Sequence, residues 1–297
     1  MVRLPVVRCT LSLFGKSAAH EVSARVAESK REREMFGVDR AVLLARACSL
    51  AFLPPSAIPA HPYCNGLQYI AQVEDPATQA GATLFRCGEE TILACRGSST
   101  VRNFRTNFNV GPAALETPNG PHPTAKVHAG FQDASAELWR RLTPVMPTGD
   151  ESLTVVGHSL GGGTATLLAL KAMATDRGPV DLVTYAGPRM GNGAFGEYYR
   201  ERSEQTATHL VHEDDDVLKS NAALWDRLGF EHVGDVIRCD KARPCLYDGE
   251  DGATCIADPN FTERDLSLKA VFVDHCLYLG VYIGLRAQHP GVWLRLP

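Results

Sequence analysis

Hydrophobic positions along the chain change from helical spacing near the start to short apolar runs further on. Between residues 38 and 52 apolar side chains recur at helical spacing with others off that stripe, which predicts a helix buried on more than one side. The Pro54-Pro55 pair ends it. Gly88-Glu89-Glu90 then separates two apolar runs, which predicts a hairpin. The strand-like runs of this half lie at residues 67–73, 82–85 and 91–95.

Strands and helices alternate in the second half of the chain. The strand-like runs are residues 153–156, 180–185 and 206–211, and the helical runs are residues 160–173 and 194–202. This alternation predicts βαβ units and a parallel sheet. The four prolines of residues 111–123 and the polar character of residues 240–261 favour surface loops there.

Composition excludes several classes of protein. With 44% hydrophobic and 22% charged residues, the 297-residue chain can bury a sizeable core and is not disordered. A net charge of -4 without a basic cluster argues against nucleic acid as a partner, and no apolar run is long enough for a transmembrane segment. The nine cysteines are scattered without zinc-site spacing, so we expect mainly buried thiols, with one or two disulfides left open.

The first 20 residues contain three basic residues, Arg3, Arg8 and Lys16, and no acid. This pattern fits either an organelle-targeting leader or an ordinary extension. Arg8 interrupts the apolar run, which makes a secretory signal a poor fit. We therefore expect a soluble protein that is cytoplasmic or organelle-targeted rather than secreted.

The segment Gly157-His158-Ser159-Leu160-Gly161 fits the G-x-S-x-G pattern of a nucleophilic serine. It directly follows an apolar strand and opens an Ala/Leu-rich helix, the context that such a turn needs. The Leu160 N–H at the helix start would face a developing oxyanion. The alternative is a glycine-rich turn with an incidental serine.

A serine hydroxyl needs a histidine base and an orienting carboxylate. In α/β-hydrolases both follow the serine along the chain, the carboxylate first. Residues 213–216 supply acids just past a predicted strand, and the histidines beyond them are His232, His275 and His289. His289 precedes a proline in an exposed-looking tail and is the weakest of these candidates.

Four segments, in family order, resemble the class 3 lipases, the fungal-lipase-like α/β-hydrolases. Along the chain they are the oxyanion and lid segment at residues 95–104, the V-H-x-G-F segment at 127–131, the nucleophile segment at 156–162 and the G-x-P-R-x-G-N segment at 184–192. The resemblance covers residues 36–285. It implies an α/β fold with a mostly parallel central sheet flanked by helices, formed by residues 36–297 after an N-terminal extension at residues 1–35.

The resemblance also implies roles for individual residues. Ser98, after the Arg-Gly pair, corresponds to the family's oxyanion residue, and His275 in Asp-His-x-x-Tyr corresponds to its catalytic histidine. His232 corresponds to a structural position, where we expect a hydrogen-bonded side chain. Asp215 corresponds to the family's carboxylate.

The carboxylate segment departs from the family pattern at two positions. His212 stands where the family usually has Asn, and Leu218 stands where it usually has Pro. A shift of the carboxylate to Asp214 or Asp216 therefore stays open.

The resemblance further implies a mobile lid just after Ser98. Val101, Phe104 and Phe108 form an apolar stripe at helical spacing, with polar residues between them. Such a stripe would cover the acyl pocket in water and turn outward at a lipid surface. The alternative is a fixed amphipathic surface helix.

These features predict a serine hydrolase that cleaves carboxylic esters of glycerolipids, either tri- or diacylglycerols. It would need no metal and no organic cofactor, and would contact a lipid interface transiently. A phospholipase A1 or galactolipase on the same scaffold is the nearer alternative. A non-enzymatic, lipase-like binding protein is the remote one.

Overall fold

A computed structural model describes residues 38–96, 111–147, 151–175, 179–203, 207–212, 215–239, 245–248, 252–255, 275–279 and 281–283. The helices of these residues are α1 (Val38–Leu50), α2 (Ala129–Leu142), α3 (Leu160–Met173), α4 (Gly193–Arg200) and α5 (Asp216–Leu228). The predicted extension at residues 1–35 lies outside the described residues. None of the described helices is long and apolar enough to span a bilayer.

The central sheet is the layer on which the rest of the fold packs. Within the described residues its strands are β1 (Gln68–Glu74), β2 (Gly81–Cys87), β3 (Glu90–Arg96), β6 (Leu153–His158), β7 (Val180–Tyr185), β9 (Thr208–His212) and β11 (Asp235–Cys239), in the order β1-β2-β3-β6-β7-β9-β11. The strands from β3 to β11 run parallel, while β1 and β2 pair antiparallel at one side. The predicted hairpin and the mostly parallel sheet are confirmed.

Alternate residues of the central strands bury their side chains on opposite faces of the sheet. Val155 and Leu182 belong to one apolar cluster, together with side chains of α2, α3 and α4. Their neighbours Val156 and Val183 belong to a second cluster with α1 and the segment around Tyr278. The sheet is therefore covered on both faces, as a parallel sheet requires.

A second, antiparallel sheet occupies a segment that the sequence pattern assigned to a loop. Its strands are β4 (Pro112–Thr117), β5 (Gly120–His128), β8 (Gly191–Asn192) and β10 (Phe230–Glu231), in the order β10-β8-β5-β4. The loop prediction for residues 111–123 was wrong. Pro112 opens an edge strand and Pro118 lies in the turn, while Pro121 and Pro123 precede Val127, where β5 pairs with β8. The prolines therefore interrupt few ladder hydrogen bonds.

Two small hairpins complete the described structure. The first joins β12 (Cys245–Asp248) and β13 (Gly252–Cys255), so the prediction of a continuous loop at residues 240–261 was also wrong. The second joins β14 (Leu277–Tyr278) and β15 (Val281–Tyr282), immediately after His275.

Candidate active site

Ser159 lies on a strained turn between β6 and α3. Its backbone has a φ of 54° and a ψ of -124°, a combination that non-glycine residues rarely adopt. The Ser159 N–H donates to the Tyr185 carbonyl at 2.8 Å, which ties the turn to β7. The strand–serine–helix context predicted from sequence is therefore present.

Close packing at this turn explains its glycines. A Cβ atom at Gly157 would lie 2.2 Å from the Gly161 carbonyl oxygen, and one at Gly162 would lie 2.8 Å from the Gly187 Cα. Neither position can accept a side chain without movement of the backbone. The glycines thus allow the strand and the helix to meet tightly enough to present Ser159 at the edge of the sheet.

His275 bridges Ser159 and Asp215, although the three residues come from distant parts of the chain. The Ser159 hydroxyl oxygen is 2.8 Å from His275 Nε2, and His275 Nδ1 is 2.8 Å from Asp215 Oδ2. His275 is 2% exposed and Asp215 is 0% exposed. Because a carboxylate only accepts, Nδ1–H donates to Asp215 and leaves Nε2 to accept from the serine.

Asp215 is held by the helix that it caps. Its Oδ1 accepts from the N–H groups of Val217 at 2.9 Å and Leu218 at 3.3 Å, at the start of α5. Since proline lacks an N–H, the departure from the family pattern at Leu218 supplies one of these donors. With Oδ2 on His275, the buried carboxylate has donors on both oxygens, and the helix dipole favours its charge.

The other candidate acid and histidine that the structure describes, Asp216 and His232, do not join the series of Ser159, His275 and Asp215. Asp216 is exposed as the first residue of α5, while Asp214 and His289 lie outside the described residues. His232 packs on the His209 ring at a centroid distance of 4.5 Å. Its expected hydrogen bond is missing at Nδ1, which is buried and has no partner among the described residues. Burial, together with the nearby His209 and Arg189, lowers the pKa of His232 to about 2.

The predicted oxyanion residues can be located only in part. Leu160 is the first residue of α3, so its N–H has no acceptor within the helix. β3 ends at Arg96, and β3 and β6 are parallel, so both end at the same edge of the sheet. Ser98 and the predicted lid residues Val101, Phe104 and Phe108 lie outside the described residues.

Two histidines that the sequence analysis did not assign to the site contact the backbone around His275. His158 Nε2 is 2.6 Å from the His275 carbonyl oxygen, and His212 Nε2 is 2.9 Å from that of Leu277. Burial, and then the nearby His275, lowers the pKa of His158 to about 3. Their positions at strand ends beside Ser159 and Asp215 were the available sequence signal.

A cavity of about 340 Å³ lies away from these residues, at the other end of α3. Leu167, Leu170 and Lys171 line it, whereas Ser159 precedes the first residue of that helix. This cavity is therefore separate from the candidate site. Among the described residues, no group of three or more His, Cys, Asp or Glu side chains is arranged to hold a metal ion.

Comparison with known proteins finds a family match over the segment that holds two of these residues. The profile described as Lipase (class 3) matches residues 92–223, which include Ser159 and Asp215. The solved structure of Rhizomucor miehei triacylglyceride lipase covers 85% of this chain and 97% of its own, with a TM-score of 0.60 and 21% identity. At that identity the likeness concerns the fold.

Two curated relatives match parts of the chain. The secreted mono- and diacylglycerol lipase 1 of Fusarium solani is 34% identical over 152 residues, which are 49% of this chain and 42% of the relative. The chloroplastic phospholipase A1-Igamma1 of Arabidopsis thaliana is 30% identical over 222 residues, which are 59% of this chain and 42% of the relative. The chain therefore spans less than half the length of these relatives.

Proposed function

We propose that this chain, whose residues 92–223 match the class 3 lipase profile, is a member of that family and hydrolyses carboxylic esters of glycerolipids. The observation that carries the proposal is the hydrogen-bonded series from Ser159 through His275 to Asp215. A neutral imidazole that accepts from a serine and donates to a buried carboxylate is the arrangement that activates a serine for acyl transfer.

In the proposed reaction, the Ser159 oxygen attacks the ester carbonyl while His275 Nε2 takes the hydroxyl proton. The imidazolium then protonates the leaving alcohol, and an acyl-Ser159 ester remains. Water, deprotonated by His275, attacks this ester and releases the fatty acid. Asp215 keeps the ring oriented and stabilises its charged form in both half-reactions.

Negative charge develops on the substrate oxygen in each tetrahedral intermediate. We assign its stabilisation to the Leu160 N–H and to Ser98. The Leu160 N–H lies at the positive end of the α3 dipole, where an anion is favoured. Support for Ser98 comes from the sequence resemblance.

The proposed substrates are tri- or diacylglycerols. The Fusarium relative is named a mono- and diacylglycerol lipase, which supports the diacylglycerol part of this proposal. The Arabidopsis relative is named a phospholipase A1, so cleavage of a polar glycerolipid, as by a phospholipase A1 or galactolipase, is the second candidate. Both use the same chemistry at the ester and differ in the headgroup.

We also propose that Val101, Phe104 and Phe108 form a lid and that the catalytic domain starts near residue 36, after an extension at residues 1–35.

A fluorophosphonate probe tests the chemistry separately from the substrate. We expect covalent labelling of Ser159, located by mass spectrometry of the modified peptide, and loss of labelling in Ser159→Ala. That variant should keep its circular dichroism spectrum and lose activity by a factor on the order of 10^4 or more. An unlabelled but folded wild-type protein would overturn the enzyme proposal and favour a lipase-like binding protein.

A panel of emulsified triacyl-, diacyl-, phospho- and galactolipids then identifies the substrate class. The neutral acylglycerols should be cleaved fastest. Faster release of fatty acid from phospholipid or galactolipid vesicles would favour the second candidate instead.

A further inference from the structure

His275 lies on a short segment that is not part of the central sheet. Its backbone continues into the β14–β15 hairpin, in which each strand has two residues. Such a small hairpin has little stability of its own. The position of His275 must therefore depend on contacts that this segment makes with more rigid parts of the fold.

Three successive carbonyl groups of this segment accept hydrogen bonds from different donors. The His275 carbonyl accepts from His158 Nε2 at 2.6 Å, and the Leu277 carbonyl accepts from His212 Nε2 at 2.9 Å. The Cys276 carbonyl between them accepts from the Ile283 N–H at 2.8 Å. The bond to the Cys276 carbonyl is internal to the segment, whereas the bonds to the His275 and Leu277 carbonyls come from side chains of the central sheet.

The two histidines stand at the ends of the strands that lead to the other members of the site. His158 is the last residue of β6 and directly precedes Ser159. His212 is the last residue of β9 and lies three positions before Asp215. The backbone around His275 is thus tied to the same two strand ends that carry its hydrogen-bond partners.

Both side chains are suited to hold a fixed geometry. His158 is 3% exposed and His212 is 6% exposed, so water competes little for their hydrogen bonds. Because a carbonyl only accepts, each ring donates Nε2–H. The Tyr278 ring packs at 4.4 Å from His212 and 6.4 Å from His158, which restricts both rings further.

We propose that His158 and His212 are positioning residues that hold the His275 backbone so that its ring meets Ser159 and Asp215 together. Loss of either donor would leave a buried carbonyl unpaired and let the His275 segment shift. A displacement of well under 1 Å lengthens the bond to Ser159 and slows acyl transfer. This inference rests on the proposed function.

His212 gives the cleaner test, because His158 adjoins the strained turn at Ser159. In His212→Gln the amide nitrogen takes the place of Nε2, whereas in His212→Asn the shorter side chain leaves that place empty. We expect His212→Gln to keep kcat for a soluble short-chain ester within about threefold. His212→Asn should lower kcat by about tenfold or more with little change in KM, in keeping with one lost buried hydrogen bond.

His209 supplies a matched control on the same strand. It is 2% exposed, and its Nε2 donates to the Val233 carbonyl at 2.5 Å, away from the His275 segment. His209→Asn removes an equivalent buried bond, and we expect it to lower thermal stability while kcat per folded molecule stays close to wild type. Equal loss of kcat in His209→Asn and His212→Asn would overturn the positioning role.

The rate of Ser159 labelling by a fluorophosphonate separates this inference from the proposed function. The inference is supported if wild type is labelled, His212→Gln is labelled at nearly the same rate and His212→Asn is labelled more slowly. Equal labelling rates in all three proteins overturn it and leave the proposed function standing. No labelling of wild type at all overturns the proposed function itself.

Discussion

Three of the buried histidines have a strongly lowered pKa and should make the fold sensitive to mild acid. They are His128, His158 and His209, each at most 4% exposed. Burial lowers the pKa of His128 to about 4, of His158 to about 3 and of His209 to about 4. In the unfolded chain each returns to the ordinary histidine pKa of about 6.5.

The sign and size of the effect follow from proton binding. Below pH 6.5 the unfolded chain takes up protons at these rings and the native protein does not, so the free energy of unfolding falls as pH falls. Between pH 7.5 and 5.5 each histidine contributes a loss of about 1.4 kcal/mol, which gives about 4 kcal/mol for the three. His232, whose pKa is lowered to about 2, raises the total to about 5 kcal/mol. This is a large fraction of a typical stability of about 5 to 15 kcal/mol.

Urea unfolding followed by circular dichroism at pH 7.5 and 5.5 measures this difference directly. The window lies above the ordinary carboxylate range, so histidine titration dominates. We expect a loss of about 4 to 5 kcal/mol, and a change below about 1 kcal/mol would refute the assignment of these rings as buried and neutral.

Variants at His209 refine the test. His209→Gln keeps a donor for the Val233 carbonyl and cannot titrate, so the pH-dependent loss should shrink by about 1.4 kcal/mol. Thr184 donates its hydroxyl proton to His209 Nδ1 at 2.7 Å, and Thr184→Val removes this bond but keeps the titrating ring. It should lower stability at both pH values with the pH dependence retained. An unchanged pH dependence in His209→Gln would exclude His209 as a contributor.

Three further substitutions test the turn, the carboxylate and the lid. Gly157→Ala should prevent folding, because its Cβ would lie 2.2 Å from the Gly161 carbonyl oxygen. Gly193→Ala is the control, since its Cβ would meet nothing closer than 3.6 Å. Equal thermal midpoints of the two variants would contradict the close packing. Asp215→Asn should lower kcat by a factor on the order of 10^4. Its thermal midpoint should change little, since Asn also caps helices. Activity within tenfold of wild type would exclude the carboxylate role. Phe104→Ser should weaken the rate increase when a short-chain ester passes its solubility limit, and smooth saturation in both proteins would argue against a lid.

Local features of this chain were predictable because local sequence determines them. The helix predicted at residues 160–173 has those bounds in the structure, and Ser159 stands on the predicted strand-to-helix turn. Glycines on both sides and an apolar strand before the serine are short-range signals. The parallel sheet followed in the same way from alternating strands and helices.

The sequence pattern failed where prolines outweighed the other signals of a segment. The prolines of residues 111–123 favoured a loop, yet β4 forms because it occupies a sheet edge beside β5, where few ladder bonds are lost. The partner strand β5 follows after two residues, and Asn119-Gly120 at this turn was a local hairpin signal that the prolines masked.

Tertiary structure brings together Asp215 and His275, the acid and the histidine that the family resemblance had favoured among several candidates. Asp215 faces His275 because it caps α5, whereas Asp216, one residue later, points to solvent. Likewise His232 packs on His209, and the bonds from His158 and His212 to the segment of His275 join positions more than sixty residues apart. Sequence spacing cannot specify such contacts, because the hydrogen-bond geometry arises only when strand ends from separate parts of the chain meet at one edge of the sheet.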